Sequence, residues 1–282
     1  MVYLCSVALR ANLAPSGYKQ TFSVNNDFLQ EKVFQICTYG FFFVLLQAEM
    51  KKSKENIVIP DGCSKVLLHA CCAPCSSAIV EWLLAHGVEP VIYYYNPNIY
   101  PREEYELRKN ESKRHAETLG IEWIDEDEGR EASGERREGA FSYQKAHESW
   151  RDAVCGLEKE PERGRRCEKC FYVRLLKTAK KAQELGIGFF ATTLASSRWK
   201  NLEQVNAAGC RAAEKARGER ELKGERREEV EGREEVEGRE AKVQFWAQNW
   251  RKDGLQERRN QLLKEFNFYN QQYCGCEFSI KF

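Results

Sequence analysis

The residues of this 282-residue chain most able to do chemistry are its twelve cysteines. They are unevenly spread. Cys71, Cys72 and Cys75 form one cluster, Cys167 and Cys170 a second, and Cys274 and Cys276 a third, while Cys5, Cys37, Cys63, Cys155 and Cys210 stand alone. Closely spaced thiols in a chain far longer than a disulfide-stapled mini-protein indicate metal or redox chemistry rather than structural bridges. Pro74 suits the first turn of a helix, whose N-terminal end favours thiolates at Cys71 and Cys72. Cys75 suits either a further ligand or a small buried residue. Cys167 and Cys170, three apart, share one face at the start of another helix. Two thiolates from each cluster make four, which fits a tetrahedral zinc or a [4Fe–4S] cluster, and spacing does not decide between them. Cys274-Gly275-Cys276 differs in kind. A disulfide between residues two apart departs from relaxed geometry and reduces readily, and Gly275 frees the backbone for the turn. That pair reads as redox-active, with further metal ligation as the alternative.

The elements that must position these thiols alternate from residue 65. Val66–Ala70 is a short apolar run, Ser76–His86 has helical periodicity, and Pro90–Tyr95 is a second strand stopped by Asn96-Pro97-Asn98. A charged amphipathic helix over Glu103–Leu119 leads to a third strand at Ile121–Ile124. Helices near 141–154 and 170–185 precede a fourth strand at Gly188–Thr193. A helix from Asn201, a fifth strand at Val243–Trp246 and a helix over 255–266 complete the pattern. Such alternation predicts an α/β fold, a parallel sheet with helices on both faces and a helical C-terminal part. Loops after parallel strands gather at one edge, where ligands bind, so Cys71 and Cys72, the Asn96–Tyr100 loop and the Leu194–Asn201 loop are expected to share a site.

Two segments fall outside this pattern. Residues 1–49 lack periodicity and lead to an internal Met50 and a lysine run, so they read as a non-essential extension of a single catalytic domain over 50–282. Residues 211–242 carry 21 charges in 32 residues and repeat Glu-Glu-Val-Glu-Gly-Arg-Glu, which reads as a solvated insertion, helical or disordered. Lys+Arg 44 against Asp+Glu 43 leaves a net charge of +1, so any contact with a polyanion must come from a local patch. The apolar run Tyr39–Leu46 is too short to span a bilayer, and a cytoplasmic protein without a membrane partner is expected.

Several ordered motifs carry a family resemblance. His69-Ala-Cys-Cys-Ala-Pro-Cys75, Tyr94-Tyr-Asn-Pro-Asn-Ile-Tyr-Pro101, the Gly156–Gly164 stretch, Arg166-Cys-Glu-Lys-Cys170, Thr192-Thr-Leu194, Lys200-Asn201 and Tyr273-Cys-Gly-Cys276 resemble the QueH epoxyqueuosine reductases. The resemblance runs from about residue 65 to 279 and implies a Rossmann-like fold related to the adenine-nucleotide alpha hydrolases. It implies reduction of epoxyqueuosine to queuosine at the wobble position of tRNA, with tRNA and an unidentified electron donor as partners. It further implies a [4Fe–4S] cluster on Cys71, Cys72, Cys167 and Cys170, a redox-active pair at Cys274 and Cys276, and room for a second metal ion. Ala195–Arg198, Asn249-Trp250 and the 211–242 insertion depart from the family pattern.

Tyr94, Asn96, Asn98, Tyr100, Lys200 and Asn201 are candidates for the nucleoside pocket, since stacking and amide hydrogen bonds suit a splayed base, although Asn-Pro-Asn is also ordinary turn chemistry. Arg102, Arg108, Lys109, Lys113 and Arg114 suit either tRNA phosphates or a solvated helix face. His69 is expected to be a buried hydrogen-bonding residue. Two other functions compete. An ATP-dependent tRNA-modifying enzyme of the same fold needs a glycine-rich phosphate loop after the first strand, and Ala70-Cys71-Cys72-Ala73-Pro74-Cys75 has none. A non-enzymatic zinc module would use Cys167, Cys170, Cys274 and Cys276.

Overall fold

The computed structural model describes residues 57–126, 142–228 and 242–280, with side chains of 220–228 left aside. The expectation for residues 1–49 lies outside the described residues. Five parallel strands form one sheet: β1 (Lys65–His69), β2 (Glu89–Tyr94), β3 (Trp123–Asp125), β4 (Phe189–Thr192) and β5 (Gln244–Phe245), in the order β3-β2-β1-β4-β5. The central strand β1 is buried at Val66, Leu67, Leu68 and His69, the unbroken apolar run of a strand covered on both faces. The helices are α1 (Ala73–Ala85), α2 (Arg102–Thr118), α3 (Tyr143–Ala153), α4 (Arg165–Glu184), α5 (Leu202–Glu228) and α6 (Leu255–Glu265). Among the described residues, no helix is long and apolar enough to cross a membrane.

The strand order reverses at β1, whose neighbours β2 and β4 leave in opposite directions, and a crevice opens there beyond the carboxyl ends. His69 ties the three strand ends together. Its Nδ1 lies 2.8 Å from Thr192 Oγ1 and its Nε2 lies 3.2 Å from the Tyr95 carbonyl. A carbonyl only accepts, so Nε2 carries the proton and Nδ1 accepts from Thr192. Both ring nitrogens are used by the protein, and neither is left for a metal.

The insertion expected at 211–242 begins later than its composition suggests. Helix α5 runs unbroken to Glu228, and Ala212, Ala213 and Ala216 are buried in the core against the sheet. These alanines sit on the inward face of an otherwise charged helix, a spacing hidden by the overall charge density. Residues 229–241 lie outside the described residues.

The charged helix α2 also differs from expectation. Arg108 is buried and binds Glu104 at 2.7 Å, while Lys109 is buried in an ion pair with Asp125. Neither is free for phosphate. Arg108 also donates to the Tyr273 carbonyl at 3.1 Å, and Tyr269 donates through its hydroxyl to Glu104 at 2.9 Å and through its backbone to Glu111 at 2.8 Å. The charges on α2 therefore seat the C-terminal tail.

His115, on the same helix, packs edge-on against Phe266 and Phe268, and its buried Nε2 has no partner. Burial, helped by Arg114, pushes its pKa down to about 4. The unfolded chain then binds the extra proton at about 6.5, so stability is full above that pH and falls as pH drops towards 4. We expect His115 alone to remove about 2 kcal/mol between pH 7 and pH 5. A His115→Phe protein should melt at least as high at pH 7 and lose less on acidification. Equal losses in both proteins, measured by thermal unfolding at the two pH values, would discard this account.

Candidate active site

Helices α1 and α4 both begin without a hydrogen bond from the side chain of the N-cap residue. Helix α1 starts from Cys72 in extended backbone with Pro74 in its first turn, and α4 starts from Gly164 with Cys167 in its first turn. The positive end of each helix dipole favours negative charge on the cysteines at its start. The three-residue spacing of Cys167 and Cys170 puts them on one face, and both line a single cavity with Cys274, Cys276, Asn98, Arg163, Arg166, Arg174, Trp199 and Lys200.

The tail reaches this cavity by pairing with the loop after β2. Tyr100 donates from its backbone to the Gly275 carbonyl at 2.8 Å, and Ile99 bridges Cys276 in antiparallel fashion. The Tyr273 hydroxyl donates to the Tyr100 carbonyl. Residues some 170 positions apart are thereby stitched into one rim.

Cys71, Cys72 and Cys75 form a tighter group, with their sulfurs all within 4.8 Å of one another and the first two 3.8 Å apart. Four sulfurs held tetrahedrally about 2.3 Å from one ion lie about 3.8 Å from each other, so this spacing suits a thiolate-bound metal. Among the described residues it is the one such group of three or more. Cys75 thus joins the first pair, which its spacing alone had left open. Cys167 and Cys170 stand apart from it at that range, and no three of the four cysteines of the supposed zinc module, which share one cavity, lie within 4.8 Å of one another.

Hydrogen bonds sort the protons within each group. Thiols of Cys72 and Cys75 donate to Cys71 and, with Lys200 and Arg174 nearby, hold it well below the usual thiol range. Burial pushes Cys72 up, and its bond to Cys71 pushes Cys75 to about 11. Thr193 Oγ1 donates to Cys71 Sγ at 3.4 Å, and Gln271 Nε2 donates to Cys72 Sγ at 2.9 Å. In the tail, Cys276 donates to Cys274 and, with Lys200, holds it well below its ordinary value while itself moving up. Burial raises Cys167 and Cys170. Lys200 acts on both Cys71 and Cys274, and Arg174 on both Cys71 and Cys170, so two cations connect the two sulfur sets.

Of the pocket candidates, Asn98 and Lys200 line the cavity, and Tyr100, 43% exposed and outside that lining, stacks on His147. Three others do different work. Tyr94 is fully buried and donates to the Tyr105 carbonyl at 3.3 Å. Asn96 is fully buried, donates to the Ala70 carbonyl at 2.9 Å and accepts from Arg174. Asn201 caps α5, its Oδ1 accepting from Glu203 and Gln204 backbones at 2.9 and 3.2 Å. The Tyr94 hydroxyl, both ends of the Asn96 amide and the Asn201 side-chain carbonyl are spent on the protein itself. Sequence reading missed Arg174, four residues and so one turn beyond Cys170 on the same face, and Trp199, in the basic triplet Arg198-Trp199-Lys200. Gln271, three residues before Cys274, was missed too, and Thr193 stood in the Thr192-Thr-Leu194 motif without an assigned role.

The sequence model of the epoxyqueuosine reductase QueH family matches residues 66–237 and 225–281. The chain is 39% identical over 228 residues to epoxyqueuosine reductase QueH of Haemophilus influenzae, covering 81% of this chain and 76% of that protein. It is 38% identical over 228 residues to the one from Histophilus somni, 81% and 77% of the two chains, and 36% over 232 residues to the one from Acinetobacter baylyi, 82% and 88%. Together with the five-stranded parallel sheet and the cysteines at its edge, these matches settle the kinship: the chain belongs to the epoxyqueuosine reductase QueH family.

Proposed function

We propose that the protein reduces epoxyqueuosine in tRNA to queuosine, in the cytoplasm, with a [4Fe–4S] cluster held by Cys71, Cys72, Cys167 and Cys170 and a redox-active pair at Cys274 and Cys276. The observation that carries this reading is the cavity where Cys167, Cys170, Cys274 and Cys276 meet Lys200 and Arg174, joined through the Arg174–Asn96 hydrogen bond to the Ala70 carbonyl next to Cys71. Removing an epoxide oxygen to leave a carbon–carbon double bond takes two electrons and two protons and releases water. Cys274 and Cys276 supply both electrons as one S–S bond forms, with one proton coming from the Cys276 thiol and the second from solvent. A [4Fe–4S] cluster supplies single-electron transfer when bound. Soft thiolate donors at helix N-termini suit such a group.

Each side chain then has a task. Cys276 keeps its proton and donates a hydrogen bond to Cys274, leaving Cys274 as the thiolate of the pair. Lys200, on the cavity wall, balances the negative charge that grows on the departing oxygen and lies close to the thiolate that forms. Asn98 offers an unpartnered buried Oδ1 towards the pocket, an acceptor for a nucleoside hydroxyl or amine. Two electrons from an external donor, with two protons, restore the dithiol. The 3.8 Å spacing of Cys71 and Cys72 favours a second reading, one metal ion on Cys71, Cys72 and Cys75.

Anaerobic reconstitution followed by metal and sulfide analysis separates the two, since a cluster gives about four irons and four sulfides per chain and a lone ion gives one metal and no sulfide. Dithionite-driven conversion of epoxyqueuosine-containing tRNA, read by mass spectrometry of the released nucleosides, should follow iron content. Iron-loaded, reduced protein that leaves the epoxide untouched sinks the proposal.

A further inference from the structure

Trp199 is the most exposed aromatic side chain among the described residues, at 71%, yet the backbone that carries it is firmly held. Arg163 donates from Nε to the Trp199 carbonyl at 3.0 Å and from Nη2 to the Arg198 carbonyl at 3.2 Å. Arg251 donates from Nη2 to the Ser197 carbonyl at 2.5 Å and to the Lys200 carbonyl at 2.9 Å. Ser197 Oγ accepts from the Trp199 backbone at 3.3 Å, and Gln204 donates to the Arg163 carbonyl at 2.7 Å. Two arginines thus fix four successive residues, and the indole they display lines the mouth of the sulfur-bearing cavity.

An indole left in water by a loop this well anchored loses little conformational freedom on meeting a flat partner. The charge around it is one-sided: Arg163, Arg166, Arg174 and Lys200 line the same cavity against a single carboxylate, Glu162. A planar, uncharged face set among cations fits a nucleobase whose phosphates lie alongside. With the reacting nucleotide directed at this cavity, as the proposed function has it, the base beside it is the one left at the rim.

We propose that Trp199 is a stacking platform for the nucleobase adjacent to the wobble nucleotide, holding the anticodon loop open while the modified base enters the cavity; this rests on tRNA being the substrate. Trp199 is a positioning residue, acting on substrate binding and not on the electron transfer. Stacking of a base on an aromatic side chain predicts an affinity loss of about 5- to 100-fold on truncation to alanine.

A binding cycle on the full-length, reconstituted protein tests it. Fluorescence anisotropy is read with a labelled anticodon stem-loop, either intact or with an abasic residue on one or the other side of the wobble position. Trp199→Ala should weaken the intact stem-loop about 5- to 100-fold, and Trp199→Phe should retain most of the affinity. One abasic stem-loop should weaken binding to the parent protein by a similar factor and bind Trp199→Ala no worse than the intact one does, because the two changes remove one contact. Losses that multiply for both abasic positions, or a Trp199→Ala protein that binds like the parent, overturn the proposal. So does a slower reduction with unchanged RNA affinity, which would assign the indole to an electron-donor protein. Turnover of epoxyqueuosine stem-loops by the parent protein is scored separately, so a failed substrate assignment is distinguished from a failed role for Trp199.

Discussion

Replacing Cys71 by serine is expected to lower epoxide reduction by about a thousandfold or more, about 4 kcal/mol of barrier or greater, with the iron and the visible absorption lost together. Cys71 is the thiolate of its group: it receives hydrogen bonds from Cys72, Cys75 and Thr193 and feels both Lys200 and Arg174. A serine hydroxyl does not ionise in that setting, and its hard oxygen is a poor match for iron held by thiolates. Cys75→Ser separates ligand from neighbour. Its hydroxyl keeps the hydrogen bond to Cys71, so if the ligands are Cys71, Cys72, Cys167 and Cys170, the Cys75→Ser protein keeps its iron and most of its rate while Cys167→Ser loses both. The reverse pattern, iron retained in Cys167→Ser and lost in Cys75→Ser, would reject the four-ligand assignment in favour of one ion on the first group. Metal analysis of the three proteins alongside the tRNA assay reads both outcomes.

Much of the fold was legible because parallel strands and their helices are local patterns. The unbroken apolar run at Val66–Leu68, the helix opening at Pro74 and the alternating apolar spacing of α4 each follow from a few neighbouring residues. The position of Cys71 and Cys72 beyond the carboxyl end of β1 followed from chain direction alone. What could not be read was which partner each polar side chain would choose. Arg108 and Lys109 look like solvent-facing charges on an amphipathic helix, but a tail more than 160 residues away and a strand-end aspartate claim them. Asn96 and Asn98 sit two apart in the same turn motif, yet Arg174 takes the first and leaves the second facing the cavity. Local chemistry is the same for both, so only the long-range packing of α4 against that loop decides. Cys75 is a similar case: its place among the sulfurs depends on how far the first turn of α1 rotates it towards Cys71, which spacing does not specify.

Gly275 is where substitution should separate the redox pair from the metal. Its φ of +100° lies where side chains other than glycine are strained, at about 1–3 kcal/mol. Space forbids the change as well: a Cβ there would sit 2.9 Å from Ile99 Cγ1, 3.1 Å from Arg108 Nη1 and 3.5 Å from Ile99 Cα. Neither neighbour can move aside, since Ile99 is buried and bridged to Cys276 while Arg108 is held by Glu104 and the Tyr273 carbonyl. The turn itself must shift, and with it the approach of Cys276 to Cys274 and of Cys274 to Lys200. A displacement of about 1 Å at a reacting group costs about a hundredfold in rate. We therefore expect Gly275→Ala to reduce kcat about a hundredfold, to keep its iron because all four proposed ligands lie elsewhere, and to melt about 2–8 °C lower. Its fingerprint is opposite to that of Cys71→Ser, with cofactor retained and turnover lost. Thiol counting before and after a single turnover adds the chemical readout, because the parent should lose two thiols as the pair closes and the variant should lose few. If Gly275→Ala turns over and closes its disulfide like the parent, the geometry of this turn has no part in the reaction, and Cys274 and Cys276 are better read as anchors of the tail against Ile99 and Tyr100.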